Sequence, residues 1–396
     1  MKILADAHIP FLKGVAEQLG EVEYLPGNQF TPQVIKDKDV LIVRTVTNFG
    51  ENNMADSNVK LICSATIGFD HIDTAYCESH NIGWRTAPGC NANSVEQYIT
   101  STLLLLADKY QFNLEDKTIG IVGVGNVGRK VEAACRKLGM RVLLNDPPRE
   151  EKEFDNTAVS NSGIVQNIGM ELNSTNKLNS TNEQNPFVDL ETIKREADII
   201  TFHTPLIKEG KHRTFHLSDD KFFMEVARKP FIINAARGGV TCNTALKKAI
   251  KEEQVSGVVL DCWENEPNID LELLKITEIA TPHIAGYSAD GKWNATQISI
   301  QNIIDYFKID IKPNYQTLPS PKAPIIDLKG VQKDRQLAVA VWHTYTPLLE
   351  SRQLKETPNK FYWFRSNYPL RREYNAYKLI NADTEIAGIL KKLGFK

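Results

Sequence analysis

The chain has 396 residues and a formal net charge of −2, with 42% hydrophobic and 24% charged residues. This length predicts two or three domains, and the composition is typical of a soluble globular protein, which excludes a fibrous or disordered chain. The nearly balanced charge gives no electrostatic reason to expect nucleic acid or a membrane as a partner. Because the six cysteines form no C-x-x-C pair, we expect neither a metal site nor a disulfide framework, and a cytoplasmic location.

Residues 1–93 alternate short apolar runs with helical patterns, which predicts a small doubly wound α/β sheet. The run Met1–Asp6 is shorter and more charged than a signal peptide, so we interpret it as the first strand. The predicted strands are Ile3–Ala5, Val40–Val43, Leu61–Ala65 and Ile82–Arg85, and the predicted helices are Phe11–Leu19 and Asp73–His80. We expect this segment to be a substrate-binding domain with a flavodoxin-like fold.

Two long helical patterns flank the middle of the chain. The first begins at about Asn93, where Asn93–Glu96 resembles a capping box, and the second is Ser288–Phe307. Helices in these places would carry the chain into a dinucleotide-binding domain, residues 94–283, and back again. The substrate-binding domain is then discontinuous and is completed by residues 284–308, with the active site in the cleft between the lobes and the two helices as its hinge.

Six short apolar runs between residues 119 and 280 each end in a residue that can contact a dinucleotide or transfer a proton. Runs of this length between helical patterns are typical of buried parallel strands, whose carboxyl ends form one edge of the sheet. The runs are Ile119–Val122, Val142–Leu144, Ile199–Phe202, Phe231–Ile233, Val258–Leu260 and Ile279–Ala280. This pattern predicts a Rossmann domain and a nicotinamide-dependent enzyme.

The first of these runs leads into Gly123, Gly125 and Gly128, which have the G-x-G-x-x-G spacing of a dinucleotide-binding turn. The glycines permit a tight turn and a close approach of the pyrophosphate to the N-terminus of the next helix, predicted at Asn126–Leu138. A structural turn can have the same glycines, so the motif needs support from its surroundings.

Asp146 supplies that support, because it ends the next run in position to accept hydrogen bonds from the ribose hydroxyls. Its charge also repels the 2′-phosphate of NADP, which favours NAD as the cofactor. Arg149 keeps the alternative open, since an arginine nearby can accommodate that phosphate.

Three side chains that follow the later runs form a candidate catalytic set. Arg237, which precedes two glycines, can grip a planar carboxylate with two parallel hydrogen bonds. His283 can carry the proton of an alcohol–ketone interconversion near neutral pH. Glu266, before Pro267, is the predicted orienting carboxylate for the imidazole, and Glu264 is the alternative.

Two segments depart from the α/β pattern. Residues 156–186 are rich in Asn, Ser and Thr without periodicity, which predicts a flexible surface insertion. After a proline-rich connection, residues 310–396 carry many aromatic side chains, which predicts a C-terminal α+β dimerisation domain that is buried against a twin subunit. Arg371 and Arg372 are interpreted as a solvated basic pair, with a phosphate contact in the partner's cleft as the alternative.

Taken together, the motifs resemble the D-isomer-specific 2-hydroxyacid dehydrogenase family. The resemblance rests on Gly123–Gly128 with Asp146, on Ala236–Gly239, on Glu266–Pro267 and on Thr281–Gly286. It implies NAD as the cofactor, with Arg237 and Glu266 as catalytic residues and His283 as the proton donor and acceptor. The NAD contacts that it implies are Asn126, Val127, Asp146, Thr204, Ala235, Ala236, Arg237, Asp261 and Gly286.

A second set of segments resembles one branch of this family, in which an extra C-terminal domain forms a homodimer. The set comprises Val43–Thr47, Ala87–Asn91, Asn145–Pro148, Thr201–Leu206 and His283–Tyr287. The resemblance covers nearly the whole chain apart from residues 156–186. It implies substrate contacts at Thr45, where the usual residue is serine, and at Thr66 and Tyr287.

The reaction implied by this branch is the NAD-dependent oxidation of 4-phospho-D-erythronate to 2-oxo-3-hydroxy-4-phosphobutanoate, in the route to pyridoxal 5′-phosphate. The residues themselves indicate only a carboxylate clamp, so the phosphate rests on the resemblance. One alternative is another D-2-hydroxyacid dehydrogenase, acting on 3-phosphoglycerate, glycerate or hydroxypyruvate. The other is a non-catalytic NAD(H)-sensing protein on the same fold.

Overall fold

The computed structural model describes residues 1–153 and 185–396. Contacts within the chain divide it into two compact units. Unit 1 contains Met1–Thr102, Ile284–Thr346 and Asn367–Lys396, and unit 2 contains Leu103–His283 and Pro347–Ser366. The predicted insertion at 156–186 lies outside the described residues as far as residue 184. The C-terminal segment 310–396 contributes residues to both units.

Unit 1, all of whose residues are described, contains a sheet of five parallel strands. They are β1 Lys2–Asp6, β2 Glu21–Leu25, β3 Val40–Val43, β4 Leu61–Ser64 and β5 Gly83–Arg85. Their order is β2-β1-β3-β4-β5, which is that of the flavodoxin-like fold and confirms the predicted fold. In such a sheet the winding reverses between β1 and β3, and ligands bind outside the carboxyl ends of the strands there.

The central strands of this sheet are buried on both faces, because alternate side chains enter two separate cores. One core contains apolar side chains of the helix Ala289–Phe307, which confirms the second long helical pattern. The other core contains side chains of three short helices, Pro32–Ile35, Glu51–Met54 and Thr74–Ser79. Burial on both faces is the reason that these strands are continuous apolar runs in the sequence.

Three local predictions in unit 1 are wrong. Residues 11–19 form only a 3₁₀ turn, Ala16–Gln18, because Phe11 and Gly14 have positive φ angles of 62° and 87° that interrupt a helix. Strand β2 has no counterpart among the predicted strands, since it lies at the sheet edge and is buried only in part. The long helix predicted from about Asn93 is confirmed as Ala92–Tyr110, but the predicted capping box is wrong, because Asn93 lies inside the helix and does not cap it.

Unit 2 contains a second parallel sheet. Its strands are β6 Thr118–Val122, β7 Arg141–Asn145, β8 Ile199–Phe202, β9 Phe231–Asn234, β10 Gly257–Leu260 and β11 Ile279–Ala280. Among the described residues the order is β7-β6-β8-β9-β10-β11, and Phe187 pairs with Leu144 on the outer side of β7. This is the doubly wound order of a Rossmann fold, with its switch point between β6 and β8. All six runs that were predicted as strands are confirmed.

Helices connect these strands and cover the sheet. Asn126–Lys137 follows β6 directly, residues 147–153 are helical, and the others are Leu190–Glu196, Asp220–Glu225, Asn243–Lys251 and Leu271–Ile276. Three of them begin at an aspartate that accepts a hydrogen bond from the first turn, namely Asp189, Asp219 and Asp270. No described helix is long and apolar enough to cross a membrane.

The C-terminal segment completes both units. In unit 1 it forms a two-stranded parallel sheet, β12 Ile325–Asp327 with β13 Lys378–Ile380, and the helices Lys333–Thr344 and Thr384–Leu393. In unit 2 it forms the helices Leu348–Glu356 and Phe361–Ser366. The helices and the small sheet confirm that the segment is α+β.

The helix Leu348–Glu356 covers the edge of the Rossmann sheet. Ser351 Oγ accepts a hydrogen bond of 3.0 Å from the Ala280 N–H on strand β11. Leu354 and Phe361 are buried in the core of unit 2. The last strand of the sheet is therefore paired on one side and covered by the C-terminal segment on the other.

All Phe, Trp and Tyr side chains of the C-terminal segment except Tyr362 and Trp363 are buried or partly buried within this chain, which the prediction did not anticipate. Tyr345, Phe361 and Tyr374 are buried, and Tyr374 stacks on Phe395 with ring centres 4.5 Å apart. The most exposed large apolar side chains of the segment are Tyr362 (61%), Trp363 (58%), Leu349 (58%), Ile325 (54%) and Leu348 (48%).

Arg371 and Arg372 are not a solvated pair, because both are engaged within unit 1. Arg371 is only 8% exposed, donates hydrogen bonds to Gln97 Oε1 and to several backbone carbonyls, and lies 3.9 Å from the centre of the Tyr345 ring. The carbonyls belong to Ser94, Ile284 and Ala285. Arg372 Nε donates to Asp290 at 2.8 Å. Arg371 is therefore a buried residue that joins several segments of unit 1 by hydrogen bonds.

Candidate active site

The turn between β6 and the helix Asn126–Lys137 contains three glycines in three different environments. Gly123 has a φ of 91°, and a Cβ there would lie 2.7 Å from the His203 carbonyl carbon. A Cβ on Gly128 would lie 2.1 Å from the Gly123 oxygen, so the helix packs directly on the turn. Around Gly125 no described atom lies within 4 Å of such a Cβ. This open space at a helix N-terminus fits a pyrophosphate.

Asp146 follows β7, and its carboxylate is fixed beside the glycine turn. Oδ2 accepts a hydrogen bond of 2.7 Å from Val124 N, and Oδ1 accepts one of 3.1 Å from Arg149 N. Arg149 Nη1 donates to the Val124 carbonyl at 3.1 Å, and the guanidinium lies 5.2 Å from the centre of the Phe187 ring. Arg149 is thus engaged with the turn itself, which supports the prediction that Asp146 governs the choice of cofactor.

Two buried polar atoms opposite the glycine turn have no hydrogen-bond partner among the described residues, Thr204 Oγ1 and His203 Nδ1. His203 Nε2 lies 3.0 Å from Thr201 Oγ1, and burial lowers the pKa of His203 to about 3, so the ring is neutral. Because buried hydroxyls normally have a partner, the unpaired Thr204 hydroxyl fits a contact with a bound dinucleotide.

Arg237 lies in a loop that packs against the loop containing Glu266. A Cβ on Gly238 would lie 1.9 Å from the Trp263 carbonyl oxygen, so only glycine permits this approach. Cys262 Sγ contacts the Ala236 carbonyl at 3.3 Å, and Arg237 Nη1 donates to the same oxygen at 2.8 Å. The predicted NAD contacts Ala235 and Ala236 therefore share a loop with the predicted carboxylate clamp.

His283 and Glu266 form a hydrogen-bonded pair. Nδ1 of His283 lies 2.8 Å from Glu266 Oε2, and the His283 N–H donates to the Asp261 carbonyl at 2.8 Å. Asp261 Oδ1 accepts a hydrogen bond of 2.7 Å from Thr281 Oγ1. His283 has a φ of 57°, a left-handed conformation that is uncommon for a side chain of this size. With Nδ1 directed at a carboxylate, Nε2 is the ring atom that can exchange a proton with a ligand.

The Glu266 carboxylate is partly buried and still ionised. Burial by itself raises the pKa of this carboxyl, but the His283 ring, the Trp263 N–H and the Arg365 guanidinium outweigh it and hold the pKa below its ordinary value of 4.5. The Trp263 N–H donates to Oε1 at 2.8 Å, and Arg365 Nη1 lies 3.7 Å from Oε2. Glu266 therefore carries a negative charge at neutral pH, as an orienting carboxylate must.

Glu264, the alternative carboxylate, has other partners. Its Oε1 lies 2.6 Å from His216 Nε2, and its Oε2 accepts a hydrogen bond of 2.8 Å from Asn243 N. The two glutamates thus face different histidines, and the geometry supports Glu266 as the partner of His283.

In unit 1, Thr45 and Thr66 follow the neighbouring strands β3 and β4. Thr45 is exposed, and Thr66 Oγ1 donates to the Gly68 carbonyl at 3.1 Å. Beside Thr45, Arg44 Nε donates to the buried Asp6 carboxylate at 2.9 Å. The structure therefore brings the two threonines and an arginine to the carboxyl edge of the sheet, with Arg44 and Thr45 at the switch point between β1 and β3 and Thr66 after the next strand.

Gly286 and Tyr287 lie in another part of unit 1, in the turn Ile284–Tyr287 that a hydrogen bond of 2.9 Å closes. A Cβ on Gly286 would lie 2.2 Å from Asn91 Nδ2, so a larger residue here would displace the Asn91 side chain. Lys292 Nζ lies 4.0 Å from the centre of the Tyr287 ring.

Comparison with known proteins identifies the family. The NAD binding domain of D-isomer specific 2-hydroxyacid dehydrogenases matches residues 96–169 and 160–285, and a domain of unknown function, DUF3410, matches residues 317–394. Erythronate-4-phosphate dehydrogenase of Bacteroides thetaiotaomicron is 45% identical over 382 residues, which are 96% of this chain and 99% of that protein. The enzyme of the same name from Porphyromonas gingivalis is 40% identical over 398 residues, 100% of both chains.

The chain belongs to the D-isomer specific 2-hydroxyacid dehydrogenases. The family resemblance and the NAD cofactor that were predicted from the motifs are thereby confirmed. Among solved structures, NAD-bound 3-phosphoglycerate dehydrogenase from Entamoeba histolytica is similar with a TM-score of 0.59 and 23% identity, over 78% of this chain and 95% of that one. At this identity the similarity supports the fold assigned to this chain and carries no conclusion about its substrate.

Arg365 is absent from the residues predicted for the site. It lies in the C-terminal segment, whereas Glu266 lies in the Rossmann domain, and no motif links them. The only signal in the sequence is the cluster of aromatic residues around it, Phe361–Phe364, which places a packed helix in a segment outside the dehydrogenase motifs.

Proposed function

We propose that this dehydrogenase oxidises 4-phospho-D-erythronate at C2 to 2-oxo-3-hydroxy-4-phosphobutanoate, in the route to pyridoxal 5′-phosphate. The observation that carries the proposal is the full-length identity, 45% and 40%, to two erythronate-4-phosphate dehydrogenases. The paired His283 and Glu266 supply the acid–base chemistry that such an oxidation requires.

In this proposal Arg237 binds the substrate carboxylate with its guanidinium and polarises the C2 oxygen. Nε2 of neutral His283 removes the C2 hydroxyl proton, and the ring becomes an imidazolium. Glu266 holds Nδ1 and stabilises that cation. NAD, when bound, supplies the hydride acceptor.

The proposed NAD site follows from the fit of the glycine turn and its neighbours. Gly123, Gly125 and Gly128 provide the close approach and the open space, and Asp146 is placed for the ribose hydroxyls. The remaining proposed contacts are Asn126, Val127, Thr204, Ala235, Ala236, Arg237, Asp261 and Gly286.

The proposed substrate contacts are Thr45, Thr66 and Tyr287. Arg44 adds a positive charge beside Thr45, and the Asp6 carboxylate fixes its Nε. A guanidinium held in this way can direct its two Nη groups at a phosphate with a defined geometry. This suits a phosphorylated hydroxy acid better than an unphosphorylated one.

We also propose that the protein is a cytoplasmic homodimer. The exposed Leu348, Leu349, Tyr362 and Trp363 lie on two consecutive helices of the C-terminal segment and offer an apolar surface to a second copy. All six cysteines are free, which suits a reducing compartment.

NADH formation with 4-phospho-D-erythronate, measured against unphosphorylated erythronate, 3-phosphoglycerate and glycerate, tests the function. Hydroxypyruvate, which is already oxidised at C2, is assayed in the reverse direction by NADH consumption. We expect the highest kcat/KM for 4-phospho-D-erythronate. A higher value for 3-phosphoglycerate or glycerate would assign the chain to another branch of the family. NADH binding without turnover on any of these compounds would favour an NAD(H)-sensing protein.

A further inference from the structure

The helix Phe361–Ser366 of the C-terminal segment lies beside the hydrogen-bonded pair of His283 and Glu266. Phe361 is 1% exposed and lies in the core of unit 2, and Phe364 packs against the same core. The preceding helix is joined to the sheet by the hydrogen bond between Ser351 and Ala280. These contacts fix the position of Arg365, which lies on the same short helix.

Arg365 and His283 share one oxygen of Glu266. His283 Nδ1 lies 2.8 Å and Arg365 Nη1 lies 3.7 Å from Oε2. The Arg365 side chain is 29% exposed and that of Glu266 is 18% exposed, so water screens this group of charges only in part. Two cations therefore compete for the same carboxylate whenever the imidazole is protonated.

We infer that Arg365 is a positioning residue that acts through Glu266 to set the pH range in which His283 takes up the substrate proton. The inference rests on the proposed role of His283 as the proton acceptor. Its physical basis is electrostatic: a permanent positive charge beside Glu266 reduces the stabilisation that this carboxylate gives to a protonated His283 ring. Neutral His283, the form that the oxidation requires, is favoured as a result.

Among the described residues, other charged or titratable groups close to the pair are Asp261, Cys262 and Arg237. Asp261 is buried and its Oδ1 is bound by Thr281. Burial raises the pKa of the Cys262 thiol well above its usual range, so this thiol remains neutral. Arg237 is assigned to the substrate carboxylate in the proposed reaction. Of the two arginines near the pair, Arg237 thus has a proposed role in binding the substrate and Arg365 has none.

The sign of the effect follows from the charges. Without the Arg365 charge, Glu266 stabilises the imidazolium more strongly, so His283 becomes neutral only at higher pH. For Arg365→Gln we expect the acid limb of the kcat/KM profile for oxidation to move up by about one pH unit. The reverse reaction needs the imidazolium, so its alkaline limb should move in the same direction by a similar amount.

The experiment is a pair of pH profiles, for oxidation and for reduction, on the full-length parent and on Arg365→Gln. At a pH below the acid limb we expect oxidation by the variant to fall by about tenfold relative to the parent. A merely structural role would lower kcat at every pH and leave both limbs in place. Limbs that coincide with those of the parent would overturn the inference.

Two further variants complete the test. Arg352→Gln removes an equal charge from an exposed site on the preceding helix, and we expect it to leave both profiles unchanged. Arg365→Lys keeps the positive charge on a different group. We expect its acid limb to move by less than half the shift of the Arg365→Gln limb. If Arg365→Gln does not fold, Arg365→Met, which also removes the charge, replaces it, and limbs that coincide with those of the parent would then overturn the inference.

A titration of the His283 ring by NMR, assigned with His283→Ala, separates this inference from the proposed function because it needs no substrate. We expect the titration of the ring to move to higher pH in Arg365→Gln. If the parent does not oxidise 4-phospho-D-erythronate but the titration moves, the proposed substrate is wrong and the inference stands. If the parent oxidises it and the titration does not move, the inference is wrong.

Discussion

Nδ1 of His283 lies 2.8 Å from Oε2 of Glu266, although 17 positions separate the two residues in the sequence. The loop after β10 carries the glutamate, and the turn after β11 carries the histidine. Because β10 and β11 are adjacent and parallel, both side chains arise at the same sheet edge. The pair therefore depends on strand order, and its chemistry can be tested one residue at a time.

The first prediction concerns His283. We expect His283→Ala to lower kcat by about 10²–10⁴-fold, the usual contribution of a general acid–base group. Binding of NADH, measured by fluorescence, should change little, because the ring transfers a proton and does not hold the dinucleotide. A variant with a kcat near that of the parent would remove His283 from the mechanism.

The second prediction concerns Glu266. In Glu266→Gln the imidazolium loses its anionic partner, so His283 should be neutral at lower pH and the acid limb of the oxidation profile should move down. The direction is opposite to that expected for Arg365→Gln. Glu264→Gln is the matched control, because Glu264 faces His216, and its profile should coincide with that of the parent. A shift in the control alone would transfer the orienting role to Glu264.

The third prediction concerns the choice of cofactor. We expect a strong preference for NAD over NADP, since Asp146 repels a 2′-phosphate. Asp146→Ser should relax that preference by removing both the charge and the ribose hydrogen bonds. The measurement is kcat/KM with each cofactor. Equal values for the parent would mean that Arg149 overrides the carboxylate.

The fourth prediction concerns assembly. We expect light scattering of the full-length protein to show a dimer at micromolar concentration, and Leu349→Asp with Trp363→Asp to weaken it. Deleting residues 310–396 would be a poor test, because Arg371 and Phe361 are buried in the rest of the chain. A monomeric parent protein would contradict the proposal.

The fifth prediction concerns stability. Arg371→Met leaves the carbonyls of Ile284 and Ala285 without their donor, and we expect the free energy of unfolding to fall by about 3 kcal/mol. Arg352→Gln, at an exposed position, should change it by less than about 0.5 kcal/mol. Urea denaturation of the two variants beside the parent provides the comparison.

The strands of the Rossmann sheet are predictable from the sequence, because burial on both faces requires continuous apolar runs such as Ile199–Phe202. The same rule fails at β2, which alternates weakly at a sheet edge, and at residues 11–19, where local backbone geometry overrides the apolar pattern. Arg237, Glu266 and His283 could be predicted as site residues from the sequence, because each follows a strand. Arg365 could not, since only the tertiary packing of a distant segment brings it to Glu266.

The division of the C-terminal segment between the units has a consequence for synthesis of the chain. Residues 347–366 belong to unit 2 and residues 367–396 to unit 1, so unit 2 needs residue 366 and unit 1 needs the residues after it before either is complete. Strand β11 remains an uncovered edge until the helix Leu348–Glu356 has been made. The Ile284 carbonyl does not receive the hydrogen bond from Arg371 until that residue has been made. During translation the Rossmann sheet therefore keeps an open edge until residues 347–366 have been made, and partly folded species of this kind are prone to wrong association and are the reason that chaperones are needed.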